Sequence, residues 1–172
     1  MRSRTSTWFE TKVKYAKTQE DGTEKVVSEA YVVDALSFTE AESSIIDEMA
    51  VYVSGEFRVS GISKAVYGEI FFSDVDDDDK WYKAKLQFIT IDEKTEKEKR
   101  QNVIYLVQAK SLARALRYID EVMGKTMVDY DVVGLNETKL MDVFEHHASG
   151  DKQEEQNDVP EYEQGAEQKP AE

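Results

Sequence analysis

Two stretches of the chain, each opening with a tryptophan, alternate between apolar and polar residues. A period of two is typical of a half-buried β-strand, so both stretches are predicted strands. A polar turn and a run rich in β-branched and aromatic residues follow each stretch, which predicts a hairpin in each half of the chain. The predicted hairpin strands are 8–15 with 26–35, and 81–88 with 103–109.

Each hairpin is followed by a serine and then by apolar residues at helical spacing. Ser37 and Ser111 are predicted helix N-caps, because their hydroxyls can accept a bond from a free N–H of the first turn. A third strand is predicted after each helix, at 57–62 and 128–135. The predicted inward helix faces are Phe38, Ala41, Ile45 and Met49, and then Leu112, Ala115, Leu116, Ile119, Val122 and Met123.

The end of each half is less regular. Tyr67, Glu69 and Phe71 alternate as in a strand, which favours an extended segment there. The corresponding stretch of the second half, 136–144, fits either a strand or a short helix capped by Asn136, and both alternatives stay open.

The two halves share their order of elements, their spacing and their apolar pattern. Trp8 and Trp81 lie 73 residues apart, and Gly61 and Gly134 keep the same spacing. This indicates an internal duplication of a strand-strand-helix-strand unit. The predicted organisation is a first repeat (1–73), an acidic linker (74–80), a second repeat (81–150) and an acidic tail (151–172). The predicted fold class is α+β: a pseudo-twofold domain with an antiparallel sheet and helices on one side.

Composition excludes several classes of chemistry. The 172 residues contain no cysteine and two histidines, which are adjacent, so disulfides, thiolate metal sites and most histidine chemistry are excluded. No glycine-rich phosphate loop or nucleophile elbow is present. We therefore expect no enzymatic activity, no metal and no cofactor. We also expect a cytoplasmic protein that is not bound to a membrane, because no apolar run matches a membrane-spanning helix or a secretory signal.

The net charge of −14 is concentrated in two places. The tail, 151–172, carries eight acids, two lysines and both prolines, and this composition predicts disorder. Asp74, Asp76 and Asp78 have the spacing of the first ligands of a calcium loop, but Asp79 and Lys85 stand where glycine and glutamate are needed. We therefore interpret this run as a solvated linker.

The predicted outward face of the first strand in each repeat carries one tryptophan and two lysines. Single-stranded nucleic acid binds to surfaces of this kind, because bases stack on the ring and lysines neutralise phosphates. The alternative is that the rings belong to the core and the lysines keep the strands soluble. The candidate nucleic-acid-binding residues are Trp8, Lys12, Lys14, Trp81, Lys83 and Lys85.

Two further features distinguish or relate the repeats. Glu69 and Asp142 occupy equivalent positions in the two repeats. Carboxylates at repeat-equivalent positions are more often structural than catalytic. The first helix is acidic, whereas the second carries Arg114 and Arg117, so the two faces could meet in a homo-oligomer or stay separately solvated.

Residues 1–146 resemble a family of uncharacterised small proteins that we associate with gut Bacteroidetes, their phages and mobile elements. The resemblance rests on the opening 1–10, on 31–42, on 81–85 and on 141–144. It implies a cytoplasmic bacterial or phage protein, and it carries over no catalytic residues.

Three functions are compatible with these patterns. The first choice is a non-enzymatic module that binds nucleic acid, single-stranded DNA above all, through the duplicated tryptophan and lysine faces. The second is a protein-interaction or inhibitor module of a phage or mobile element that acts on a host protein, where an acidic surface can imitate DNA. The third is a structural component that assembles with copies of itself. The first rests on Trp8 and Trp81 facing outward.

Overall fold

The computed structural model describes residues 1–146, so the predicted disordered tail lies outside the described residues. Strands and helices follow the order expected for a repeated unit. They are β1 (Arg2–Arg4), β2 (Trp8–Thr18), β3 (Glu24–Asp34), α1 (Phe38–Tyr52), β4 (Phe57–Lys64), β5 (Glu69–Phe72), β6 (Lys80–Ile91), β7 (Glu98–Ala109), α2 (Leu112–Met123), β8 (Asp129–Glu137) and β9 (Leu140–Phe144).

The strands of residues 1–146 form two mixed sheets. The first sheet has the order β4-β2-β3-β9, and the second has the order β1-β5-β7-β6-β8. The predicted α+β class and the repeated strand-strand-helix-strand pattern are therefore confirmed. One detail differs from the predicted antiparallel sheet: the strands form two sheets, and each combines antiparallel pairs with one parallel pair.

Counted from β2 and from β6, the fourth strand of each repeat is β5 or β9, and each of these strands joins the sheet of the other repeat. Strand β5 of the first repeat pairs in parallel with β7 of the second, with Glu69 opposite Tyr105. Strand β9 of the second repeat pairs in parallel with β3 of the first, with Asp142 opposite Tyr31. Each sheet is thus completed by a strand from the other repeat, and the pairing obeys the pseudo-twofold relation.

Three apolar clusters follow from this arrangement. One lies between the first sheet and α1, and a second lies between the second sheet and α2. The third, which we call the central cluster, joins the opposite faces of the two sheets. Its buried members are Trp8, Val32, Tyr67, Ile70, Trp81, Leu106 and Val143.

The helix N-caps are confirmed. The Ser37 Oγ accepts the Glu40 N–H at 3.1 Å, and the Ser111 Oγ accepts the Arg114 N–H at 3.2 Å. The middle of each predicted helix face is buried, but Phe38, Leu112 and Leu116 are exposed, contrary to prediction. The first two lie in the first turn, where the Phe38 ring packs edge-on against Phe9 of β2, with centroids 5.0 Å apart, but covers only part of its own surface. No helix in the described part of the chain is both long and apolar enough to span a membrane.

The irregular ends of both repeats are strands. The extended segment predicted around Glu69 is β5, and the alternative left open for 136–144 resolves as the end of β8 followed by β9. Equivalent hydrogen bonds guide the chain from one sheet to the other: the N–H groups of Ala65 and Thr138 donate to the carbonyls of Trp8 and Trp81, at 2.8 and 2.9 Å.

The central cluster is expected to hold the two repeats together. Truncation of the fully buried Leu106 (Leu106→Ala) should lower the free energy of unfolding by about 2–5 kcal/mol, since it removes apolar contacts and leaves a cavity. Urea denaturation measures the effect. The control Leu112→Ala, at a half-exposed side chain, should cost no more than roughly 0.5 kcal/mol. Equal losses in the two variants would contradict the role of the cluster.

Candidate functional site

The four candidate lysines are exposed on the faces that the sheets turn away from their helices. Lys12 lies opposite Gly61 at a bulge between β2 and β4, and Lys85 lies opposite Gly134 at the equivalent bulge between β6 and β8. Within residues 1–146, no ion pair involves Lys12, Lys14, Lys83 or Lys85. The structure therefore bears out the exposure of the lysines and their twofold relation.

Trp8 and Trp81 are buried, so the prediction that they form exposed stacking surfaces is wrong. Their exposed fractions are 1% and 2%. Both rings pack around Phe72, with ring centroids 6.4 Å and 5.6 Å from its own. Each tryptophan shares a face with lysines, but it lies at the strand end where the two sheets meet, and only the later residues of that face reach solvent.

The sequence contained a sign of this burial. The runs 31–33 and 105–107 are apolar without alternation, which is typical of strands covered on both faces. Val32 and Leu106, the middle residues of those runs, lie in the central cluster with the two tryptophans. The face of each hairpin that carries the tryptophan therefore had to be covered at that end, in addition to the face that the helix covers.

The acidic run between the repeats is not wholly solvated, because Asp78 is buried. Its carboxylate accepts bonds from the hydroxyls of Ser73 and Tyr118, the Lys110 N–H and the Arg114 guanidinium. Burial alone would raise the pKa of the carboxyl group, but the hydrogen bonds outweigh it and lower the pKa of Asp78 below its usual range. Asp78 therefore fixes the connection between the repeats to the start of α2.

Strand β1 covers the outer edge of β5 and was not predicted. It pairs antiparallel with β5, with Arg4 opposite Ile70. The Arg2 guanidinium makes two 2.8 Å hydrogen bonds to the Glu145 carboxylate, and Arg4 Nη2 lies 2.7 Å from Asp34 Oδ2. Strand β1 is only three residues long and shows no apolar alternation. Its sequence therefore contains no periodic pattern from which the strand could be predicted.

The outer edge of β9 is the pseudo-twofold equivalent of the β5 edge that β1 covers. In residues 1–146, β9 is the last strand of its sheet, and no strand pairs with its outer side. The Val143 N–H donates instead to the neighbouring Asp142 carboxylate at 2.8 Å. An edge of unpaired backbone groups is a template for another strand.

A small pocket lies beside this edge, at the end of α1. Tyr31, Tyr52, Met141, Asp142 and Phe144 line it. The Phe144 ring stacks against Tyr31 and Tyr52, with centroids 5.5 Å and 6.4 Å apart. Tyr52 and Met141 are mostly exposed, at 68% and 52%. This apolar surface and the unpaired edge form one candidate binding site, which we call the β9 site.

The titratable groups of the β9 site are perturbed by their surroundings. Burial, followed by a hydrogen bond to Glu29, raises the pKa of the Tyr31 phenol far above its usual value. Burial of the Asp142 carboxyl group raises its pKa, and the bond from the Val143 N–H offsets only part of this effect. Asp142 nevertheless stays exposed to solvent, so its carboxylate is desolvated only in part, and a nearby cation would stabilise its negative charge.

The family model described as Domain of unknown function (DUF4494) matches residues 7–146. The match covers the duplicated domain and confirms the resemblance to an uncharacterised family. No curated protein matches the chain, and neither does any solved structure.

The hydrogen bonds of Asp78 predict a dependence of stability on pH. Because the pKa of Asp78 is lower in the folded than in the unfolded chain, its stabilisation is present above about pH 4 and is lost as the pH falls through the folded pKa. Asp78→Asn should lower the free energy of unfolding by roughly 1.5–3 kcal/mol at pH 7. The difference from wild type should shrink at pH 3.

Urea denaturation at the two pH values measures this effect. The control Asp76→Asn, at an exposed neighbouring residue, should match wild type at both. A loss in Asp78→Asn that is the same at pH 3 and pH 7 would contradict the assigned ionisation.

Proposed function

The chain belongs to the family described as Domain of unknown function (DUF4494), and we propose that it is a non-enzymatic protein-interaction module. It binds an extended segment of a partner along the outer edge of β9. One observation carries the proposal: β1 covers the edge of β5, whereas the equivalent edge of β9 has no covering strand in residues 1–146. Residues 1–146 thus contain both an example of the binding mode and a copy of the site that no described strand covers.

The chemistry of an edge strand supports this function. Backbone hydrogen bonds between strands supply affinity without sequence preference, and neighbouring side-chain pockets supply specificity. Met141 and Tyr52 place exposed apolar surface beside the edge, which a solitary solvent-facing strand does not require. The expected association of the family with gut Bacteroidetes and their phages makes a host or phage protein the partner that we propose.

Removal of one backbone donor at the edge tests the function. Peptides that bind the full chain are selected from a random displayed library, and their dissociation constants are measured for wild type and Val143→Pro. Proline removes an N–H that pairs with Asp142 rather than with a strand, so the fold should tolerate the change in the ladder. We expect binding to weaken at least about tenfold, since one or more interstrand bonds are lost.

The matched control is Val133→Pro, at the bulge of the edge strand β8, which should leave peptide binding unchanged. Because Val143 is also buried, circular dichroism must show that its variant folds. If it does not, the exposed Met141→Lys takes its place, since an edge lysine opposes strand addition. A library that yields no binder, or binders indifferent to both β9 variants, would overturn the proposal.

Binding of single-stranded nucleic acid is a second candidate function. The observation that favours it is the twofold pair of exposed lysine faces, whose four lysines make no ion pair in the described chain. With the tryptophans buried, these faces offer phosphate neutralisation without base stacking on the rings. The net charge of −14 opposes this function, so we rank it second.

Fluorescence anisotropy of a labelled oligothymidine tests the second candidate at low salt. Lys12→Glu combined with Lys85→Glu should weaken binding at least about tenfold, with a smaller salt dependence, because fewer phosphates are neutralised. Lys94→Glu combined with Lys97→Glu, in the turn between β6 and β7, is the charge-matched control. Emission from the two buried tryptophans should stay unchanged. Absence of salt-dependent binding by wild type would exclude this function.

A further inference from the structure

The pocket of the β9 site has the size of one side chain. Its volume is about 170 Å³, which corresponds to roughly five or six waters at about 30 Å³ each. Pockets for drug-sized ligands and cofactors measure about 300–1,000 Å³. The pocket therefore suits a single residue of a bound segment rather than a free small molecule of that class.

The walls of the pocket combine aromatic faces with a carboxylate. The rings of Tyr31, Tyr52 and Phe144 form one stack, and Asp142 lies at its side. Aromatic faces attract cations through their quadrupole, and the attraction grows when water is excluded. A carboxylate adds a charged hydrogen-bond acceptor. The combination selects a cationic group over a neutral or anionic one.

The surrounding charge has the same sign. Helix α1, whose last residue Tyr52 forms one wall, contains no lysine or arginine. Its acids are Glu40, Glu42, Asp47 and Glu48. Glu29 bonds to the Tyr31 hydroxyl from the first sheet. The nearest basic groups in sequence are Lys139, just before β9, and His146, whose Nε2 lies 3.1 Å from Glu48.

The β1–β5 pair shows how this domain holds an arginine at an edge strand. The Arg2 guanidinium carbon lies 4.5 Å from the centre of the Phe72 ring, and both terminal nitrogens bond to the Glu145 carboxylate. An aromatic residue of the edge strand and a carboxylate from a neighbouring element thus hold one cation. The β9 site also offers an aromatic residue and a carboxylate, Phe144 and Asp142, although both lie on the edge strand itself and Phe144 corresponds to Phe71 rather than to Phe72.

The pseudo-twofold relation also supplies the register. Ser3 of β1 lies opposite Phe71, and the equivalent of Phe71 in the other repeat is Phe144. A strand added antiparallel to β9 therefore places one residue opposite Phe144, on the side of the sheet that carries the pocket. Its neighbour would pair with Val143 as Arg4 pairs with Ile70, and the Val143 N–H would exchange the Asp142 carboxylate for a backbone carbonyl.

We infer that the β9 site recognises a basic extended segment of a partner protein, with an arginine or lysine opposite Phe144 inserted among the aromatic rings and paired with Asp142. The inference rests on the proposed interaction function and names the partner's chemistry. Asp142 has two roles in it: its carboxylate caps the edge in the free protein, and it becomes the counter-ion of the cation when the edge is filled.

Charge complementarity disfavours two occupants from this chain itself, a second copy and the segment 151–172. A second copy would bring another β9 with its own Asp142, on a protein of net charge −14. The segment 151–172 carries eight acids against two lysines. Both would place like charges beside the Asp142 carboxylate, which is unfavourable. A basic segment from a different protein removes that conflict.

A double-mutant cycle tests the inference with the tightest β9-dependent peptide from the displayed library. Replacement of its arginine by citrulline, which keeps the shape and removes the charge, should weaken binding to wild type about tenfold. Asp142→Asn should weaken binding of the arginine peptide by a similar factor and leave the citrulline peptide nearly unchanged. Tyr52→Ala should weaken both peptides, and the arginine peptide more.

The matched controls are Glu69→Gln, at the equivalent position on the covered strand β5, and Val51→Ala, an exposed neighbour of Tyr52. Neither should change the affinity of either peptide. If the β9-dependent peptides lack arginine and lysine, or if citrulline binds as well as arginine, the inference is overturned while the interaction function stands. If no peptide depends on β9, both are overturned.

Discussion

The exchange of fourth strands between the repeats is the constraint on which the rest of the structure depends. A hairpin with one helix buries only one of its two faces, yet the runs 31–33 and 105–107 are apolar on both. Pairing of β5 with β7 and of β9 with β3 brings the second faces together, and Trp8 and Trp81 close the space between them. Neither repeat completes its sheet alone, so the duplicated sequence forms one cooperative unit.

The same exchange explains why the two repeats are not equivalent at their edges. In the first repeat, the residues before β2 are free to return as β1 and cover β5. In the second, the corresponding residues, 75–77, lie in the seven-residue connection from β5 to β6, and Asp78 fastens that connection to α2. Held at α2 in this way, the connection does not pair with β9. Within residues 1–146, the tandem duplication thus supplies one covering strand for two equivalent edges.

The sequence predicted what depends on local chemistry and periodicity. Alternation in β2 and β6, the serine caps and the common spacing of the repeats all follow from short-range rules, and they gave the fold class and the order of elements. Whether Trp8 and Trp81 are buried depends on tertiary packing. The strand face that carries each tryptophan is covered by the other sheet at the tryptophan end and is exposed to solvent at the other end. The β9 site could not be predicted either, because it depends on which strand edge the described residues, 1–146, leave uncovered, and that is decided by tertiary structure.

The capped edge connects stability with recognition. An unpaired strand edge exposes the molecule to indiscriminate association, and inward or edge charges are a common protection. Asp142 supplies that protection at β9 by holding the Val143 N–H, but partial desolvation raises the pKa of its own carboxyl group, so a nearby cation would stabilise the charged form. A segment that offers a carbonyl to the N–H and a cation to the carboxylate satisfies both groups at once. A segment that offers only backbone groups takes the Val143 N–H from Asp142 and leaves the carboxylate without a partner. The contact that protects the edge therefore also makes the site selective for segments that carry a positive charge.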